Sequence, residues 1–297
     1  MHIPVLKEEA IKFLEIKQND NYIDATCGRG GHLIAILENN GPKGKVMAID
    51  QSPEQIQECR LKTKNFGKRI VLVNDNFSNL FEIVKQEKFG LVRGILFDLG
   101  LSSWHLEESK RGFSFLRKEP LDMRYDPTGQ LTAEKIVNYW SRADLIKILE
   151  EYGEEKFATA IAESIIAARQ KKPLENTWQL VEAIEIALPR FYKRQRIHFA
   201  TKTFQALRIA VNDELAVLEK ALSQSLKILD KEGRLVVISF HSLEDRIVKN
   251  FFKKEAGQGN LQILTKKPLT ASFLEIKQNP RARSAKLRAA LKIIIKE

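Results

Sequence analysis

The stretch Asp24-Ala25-Thr26-Cys27-Gly28-Arg29-Gly30-Gly31-His32 constrains this chain more than any other. An apolar run, 22–25, leads into it, and an amphipathic stretch, 32–38, follows. That order predicts a strand, a glycine-rich turn and a helix. Glycines permit positive φ and let a ligand approach the backbone closely. A second apolar run, 45–49, ends in Asp50. An acid about 20 residues beyond the first glycine is placed to bind ribose hydroxyls. The chain therefore opens with the pattern of a nucleoside-type cofactor site. The same residues would also serve an ordinary βα turn with capping acids.

A dinucleotide site needs G-x-G-x-x-G, with the pyrophosphate on a helix N-terminus. Here the order is Gly28-x-Gly30-Gly31, and the sixth position is Leu33. Asp24, at the strand end, would repel a pyrophosphate. It would favour a cation such as the sulfonium and amino group of S-adenosylmethionine.

The first hundred residues alternate. Strands are expected at 21–26, 45–50, 69–74 and 94–99, with helices at 31–39, 53–65 and 78–87. This is the pattern of a parallel sheet covered by helices on both faces. Ligands in such sheets bind beyond the carboxyl ends of the strands. Asp50, Asp75-Asn76-Phe77 and Asp98-Leu99-Gly100 all fall on that edge. From about 110 to 197 no buried strand is expected: a loop over 112–129 precedes helices at 132–138, 142–151, 154–170 and 176–187. One long helix then follows from the stripe Phe204, Leu207, Val211, Leu215, Leu218, Leu222 and Leu229. A strand at 233–240, a helix at 243–254 and strands at 260–266 and 287–295 complete the sheet. The expected organisation is an α/β core, 1–109 and 201–297, with an inserted all-helical domain, 110–200, as the substrate-selecting module.

The chain of 297 residues is 43% hydrophobic and holds two cysteines, Cys27 and Cys59. That supports a real core but no disulfide framework or cysteine zinc site. The N-terminus lacks a signal pattern and no run is long enough to span a bilayer, so a cytoplasmic protein without membrane contact is expected. The net charge is +11, which suits a polyanionic partner. Two basic stretches stand out, 190–196 with His198 and Phe199 beyond it, and 281–288. Cations interleaved with aromatics suit phosphate contact and base stacking, and either stretch could equally be a solvated face.

Further blocks run through the chain: His2-Ile3-Pro4-Val5-Leu6, Asp98-Leu99-Gly100-Leu101-Ser102-Ser103, Arg111-Gly112-Phe113-Ser114-Phe115 and Pro120-Leu121-Asp122-Met123-Arg124. Later come Ala200 to Ile209, Val237 to Arg246 and Asn279 to Ser284. Together with 24–32 they make the chain resemble the bacterial small-subunit ribosomal RNA cytosine-N4 methyltransferases over essentially its whole length. The resemblance implies a class I methyltransferase fold, a Rossmann-like α/β sheet with a helical insertion. It implies S-adenosylmethionine as cofactor, no metal, and transfer of a methyl group to the N4 amine of a cytosine in the decoding region of 16S ribosomal RNA. Small-subunit ribosomal RNA, within an assembled or nearly assembled subunit, is the implied partner, with a homodimer allowed. Cofactor contacts carry over onto Gly30, Gly31, His32, Asp50, Phe77, Asp98 and His105. At the last the chain departs from the family, with Trp104-His105 where Pro-Gln is usual; an imidazole cannot reproduce both ends of an amide.

Cytosine's exocyclic amine is a poor nucleophile, so the task is alignment plus a proton acceptor. Asp98 is the candidate catalytic residue, with Ser102 and Ser103 as further acceptors. Carbon-5 methylation needs a thiolate, and Cys27 and Cys59 are read as packing residues. Another RNA-base methyltransferase, or a non-catalytic RNA-binding or ribosome-assembly protein, is the alternative. The latter has no need of the glycine turn together with Asp50 and Asp98.

Overall fold

The computed structural model describes residues 4–293. His2 and Ile3 of the first family-like block, and residues 294–295 of the expected last strand, lie outside the described residues. The elements run α1 (Lys7–Leu14), β1 (Tyr22–Asp24), α2 (Gly31–Asn39), β2 (Val46–Asp50), α3 (Pro53–Lys62), β3 (Ile70–Asn74), α4 (Leu80–Gln86) and β4 (Val92–Asp98). Then come α5 (Ser103–Glu107), α6 (Ala133–Tyr139), α7 (Arg142–Glu151), α8 (Ala158–Lys171), α9 (Thr177–Ala187), α10 (Arg190–Lys193) and α11 (Thr201–Asn212). The chain closes with α12 (Glu214–Ile228), β5 (Leu229–Ser239), α13 (Ser242–Gly257), β6 (Leu261–Ile263), α14 (Phe273–Gln278) and β7 (Lys286–Lys292).

These form two compact units, one up to Gly100 and again from Leu215, the other Leu101–Glu214. The expected boundaries lay at 110 and 200; the compact helical unit also takes in 101–109 and all of α11. In the first unit seven strands make one sheet in the order β3-β2-β1-β4-β5-β7-β6. β7 runs antiparallel to both neighbours, and the other pairs are parallel. Alternate strand residues supply two cores. Ile23, Met47, Ile95, Phe97 and Val237 pack with Leu80, Leu222 and Phe252 on one face. Tyr22, Ala48, Leu96 and Val236 pack with Leu14, Leu33, Ile36 and Ile56 on the other. Covering both faces is why the strands read as unbroken apolar runs. The strand order reverses between β1 and β4, so the switch-point crevice falls at the carboxyl ends that carry Asp24 and Asp98.

The second unit has its own core. Ile136, Leu149, Ile161, Leu180, Ile184 and Leu207 come from five helices, and Phe113, Leu121 and Met123 from the loop between α5 and α6. Thr132, Ser141 and Asn176 accept backbone N–H groups at the starts of α6, α7 and α9, the sequence-readable signal for those boundaries.

Several expectations change. The single helix expected from Phe204 to Leu229 is two helices broken at Asp213, whose φ is 49°. A one-residue left-handed break leaves the apolar stripe nearly in phase, so spacing alone does not reveal it. The helix expected at 53–65 ends at Lys62, and α8 starts at Ala158 rather than at 154. Four short helices, α1, α5, α10 and α14, lie where the pattern gave none.

Candidate active site

The turn after β1 is built by positive φ at Gly28 (48°) and Gly30 (80°). Side chains disfavour that region, so both glycines are backbone requirements. Gly31 differs: a Cβ there would lie 2.4 Å from Pro4 Cγ. Its missing side chain makes room for the N-terminal segment, a packing role beside the expected one of bringing a ligand to the backbone. The turn delivers the Gly28 N–H to Asp50 Oδ2 at 2.9 Å, while the Ser52 N–H donates to Oδ1 at 2.9 Å. Each oxygen of Asp50 thus holds one backbone donor and keeps acceptor capacity for another. Burial pushes the Asp50 carboxyl up to about 6, against those N–H groups, which favour the carboxylate.

Asp24 and Asp98 close β1 and β4 and are tied through Thr26. The Thr26 N–H donates to Asp24 Oδ1 at 3.3 Å, and the Asp98 N–H donates to Thr26 Oγ1 at 2.7 Å. His32, in the first turn of α2, places Nε2 3.5 Å from Asp98 Oδ2. It is 5% exposed and Asp24 1%. Asp24 Oδ2, Asp98 Oδ1 and both ring nitrogens of His32 are buried without a hydrogen-bond partner, so His32 and Asp98 meet as an ion pair rather than through a hydrogen bond. Burial pushes the Asp24 carboxyl up to about 7, partly offset by His32 and the Thr26 N–H. For His32, burial disfavours the charged ring, but the nearby carboxylate of Asp98 and the charge of Asp24 outweigh it, so its pKa is raised.

Phe77 follows β3 and meets Phe97 edge-on at 5.5 Å. It is half-buried on the rim of the core, so a packing role is present whatever else the ring does. His105 lies in the second unit, 5% exposed. Its Nδ1 is 2.8 Å from Ser102 Oγ, and its ring meets Phe113 and Tyr125 edge-on. Burial, with the charges of Arg111 and Arg208, holds it down at about 3, so the ring is neutral. Nε2 has no partner. Ser102 is occupied as the N-cap of α5 and by His105, and Ser103 is buried.

The thiols Cys27 and Cys59 are buried with sulfurs 3.5 Å apart, and Cys59 also donates to the Gly28 carbonyl. This matches their reading as packing residues of the turn. Thr26, the link between the two acids, carried no sequence signal beyond its place in the turn.

The two basic stretches come out differently. Arg288 is 7% exposed and binds Asp245 through Nε (2.6 Å to Oδ1) and Nη2 (3.2 Å to Oδ2), with Lys286 Nζ 3.5 Å away. This half of 281–288 belongs to the fold, because β7 is an inner strand of the sheet. In 190–196, Tyr192 is buried on Glu155 and Lys193 pairs with Glu185, while Arg194 and Arg196 stay exposed. His198 stacks on Phe115 at 4.4 Å and on Phe199 at 4.4 Å. That stack joins two loops whose tips expose Leu116 and Ile197.

The model of the MraW methylase family matches residues 1–293. A ribosomal RNA small subunit methyltransferase H from Heliobacterium mobile is 44% identical over 98% of this chain and 99% of its own length. Proteins of the same name from Dehalococcoides mccartyi and Sulfurihydrogenibium azorense are each 46% identical. The first match covers 99% of this chain and 87% of the relative, the second 98% and 99%.

Proposed function

The chain belongs to the MraW methylase family, and from that premise we propose that it is an S-adenosylmethionine-dependent methyltransferase acting on the N4 amine of a cytosine in small-subunit ribosomal RNA. The observation that carries this reading is the carboxyl edge of the sheet. A backbone-held Asp50 keeps acceptor capacity there, and Asp24 Oδ2 and Asp98 Oδ1 are buried acceptors without partners. Buried acceptors without donors are costly unless a ligand supplies a donor or a positive charge. A cofactor with a sulfonium, an ammonium and two ribose hydroxyls fits that set.

S-adenosylmethionine supplies a methyl group activated on its sulfonium sulfur. Asp50 takes the ribose hydroxyls. The backbone N–H groups of Gly31 and His32, with Gly30 before them, start α2 and suit the methionine carboxylate. Phe77 offers a ring edge or face to adenine, and Asp24 and Asp98 complement the positive charge. The role that the resemblance gives His105 falls to its Nε2. Asp98 Oδ1 orients the target amine and accepts its proton.

The helical unit selects the substrate in this reading. Arg194 and Arg196 meet phosphates, and the stack of Phe115, His198 and Phe199 presents rings for unpaired bases. The substrate is ribosomal RNA in an assembled or nearly assembled subunit, in the cytoplasm. Among the described residues no helix is long and apolar enough to cross a membrane. Mass mapping of small-subunit ribosomal RNA from cells with and without the gene tests the reading. Loss of one N4-methyl group on a decoding-region cytosine supports it, and an unchanged map refutes it.

A further inference from the structure

We propose that His32 is a positioning residue for methyl transfer: the charge on its ring, with Nε2 3.5 Å from Oδ2 of Asp98, holds that oxygen, which leaves Oδ1 as the fixed acceptor for the amine proton. The inference rests on the function proposed above and assigns the His32 side chain a task separate from cofactor binding. The backbone of His32 belongs to the start of α2, while its imidazole is buried against the carboxyl edge of the sheet. The two parts of one residue can therefore serve two ends.

Asp98 is hydrogen-bonded at its backbone and faces the His32 ring at its side chain. Its N–H is held by Thr26 Oγ1, and Oδ2 is within 3.5 Å of His32. Thr26 in turn holds Asp24 Oδ1. Asp24, Thr26, His32 and Asp98 thus link β1, the glycine turn, α2 and β4. The charged groups acting on the imidazole are Asp98 from β4, Asp24 from β1 and, opposing them, Lys7 from α1. Two carboxylates against one cation favour the imidazolium, the form with a proton on both nitrogens. A histidine kept only for packing would need no carboxylate on either side, and an apolar residue would fill the space at less desolvation cost.

In the reaction the N4–C bond forms as the C–S bond breaks, and the bonding pair leaves with sulfur. The nitrogen then carries one proton in excess, which passes to Asp98 Oδ1 and on to solvent. Rotation of the carboxylate would spoil that transfer, and a misplacement of about 1 Å can cost 10²-fold in rate. His32 restrains the rotation.

The test compares wild type with His32→Gln and His32→Leu. Glutamine keeps a donor near the position of Nε2 but does not titrate; leucine keeps only bulk. Binding of S-adenosylhomocysteine is measured by calorimetry, and single-turnover methylation of small subunits at saturating cofactor as a function of pH. Both variants are expected to bind S-adenosylhomocysteine within about threefold of wild type, while the rate falls about 10-fold for glutamine and about 100-fold for leucine. The alkaline limb of the wild-type profile, where His32 loses its proton, should vanish in His32→Gln. If leucine destabilises the fold in a thermal melt, the glutamine rate and its profile still decide. A wild-type rate in His32→Leu, an unchanged alkaline limb in His32→Gln, or binding losses that match the rate losses would each overturn the inference. Wild-type protein that neither binds S-adenosylhomocysteine nor methylates subunits would instead overturn the proposed function, and this inference with it.

Discussion

Two acid clusters of the sheet unit are built from similar parts and end in opposite states. At the end of β7, Asp245 meets a bidentate Arg288 and a nearby Lys286. Burial alone would raise the Asp245 carboxyl, but Arg288, then Lys286, hold it below the usual carboxylate range. At the ends of β1 and β4, Asp98 faces His32 at 3.5 Å, and Asp24 and Asp98 retain an oxygen each without a hydrogen-bond partner. Burial wins at Asp24, which is pushed up to about 7. The first cluster is complete and holds the fold together. The second is incomplete: Asp24 is a buried acid with a raised pKa, and in the proposed reading a ligand supplies the missing partners.

The sharpest way to break this contrast is Asp98→Asn. The shape is kept and the basicity removed, so single-turnover methylation should fall about 10²–10⁴-fold with near-normal melting. A rate within about threefold of wild type would return Asp98 to the status of a turn residue, since Asn makes the same local backbone bonds. Asp245→Ala should do the reverse. It leaves Arg288 buried without its main partner, a change that costs about 3 kcal/mol in stability by chemical denaturation. Affinity for S-adenosylhomocysteine in the folded fraction should not change; a loss there would mean the two clusters are coupled.

Asp50→Ala removes an ionised contact of about 1.5–3 kcal/mol, so calorimetry should read cofactor binding weakened by roughly tenfold or more. Equal affinity would remove Asp50 from the site.

The two clusters should also answer to pH with opposite sign. Asp24 and Asp50 have raised folded-state pKa values, so the ligand-free fold binds protons more tightly than the unfolded chain between about pH 4 and 7. Their contribution to stability grows as pH falls through that window. The raised pKa of His32 works the same way: its contribution is present below about 6.5 and is lost as pH rises through the folded value. Asp245 is depressed, so its contribution stands above about pH 3.9 and is lost below it. Melting temperature should therefore rise from pH 8 to 6, and Asp24→Asn should flatten that rise. Cofactor binding near pH 6.5 should release protons, because a bound cation favours the carboxylates. Calorimetry in buffers of different ionisation enthalpy reads this directly, and proton uptake would contradict the assignment.

The smallest expected effect separates the two basic stretches. Neutralising Arg194 and Arg196 should reduce the salt dependence of RNA binding by about 0.7 in log–log slope per lost phosphate contact, with cofactor affinity unchanged. Arg288→Met should leave that slope alone, since its charge is already spent on Asp245. Equal slopes in the two variants would erase the distinction.

By itself the sequence determined the seven strands and their order along the chain, because each is an apolar run closed by polar residues at a turn. It also determined the glycine turn, the acid after β2 and the helical nature of the insertion, since these depend on neighbours a few residues apart. Only the tertiary structure decided which charges are spent. Arg288 reads like Arg196 until β7 is placed inside the sheet and α13 brings Asp245 against it. Asp213 reads as one more polar position of a helix until its backbone turns left-handed. Gly31 reads only as a ligand contact until Pro4 takes the space of its missing Cβ and adds a packing role. Phe115 and His198 are unrelated until two loops fold together. Thr26 gains its role only when β1 and β4 lie side by side. Local pattern fixes hydrogen bonding within an element, whereas burial and charge pairing depend on groups brought together from distant parts of the chain. That is why the fold is legible from local pattern, and why the division between acids with and without a full set of partners depends on the packing of the sheet.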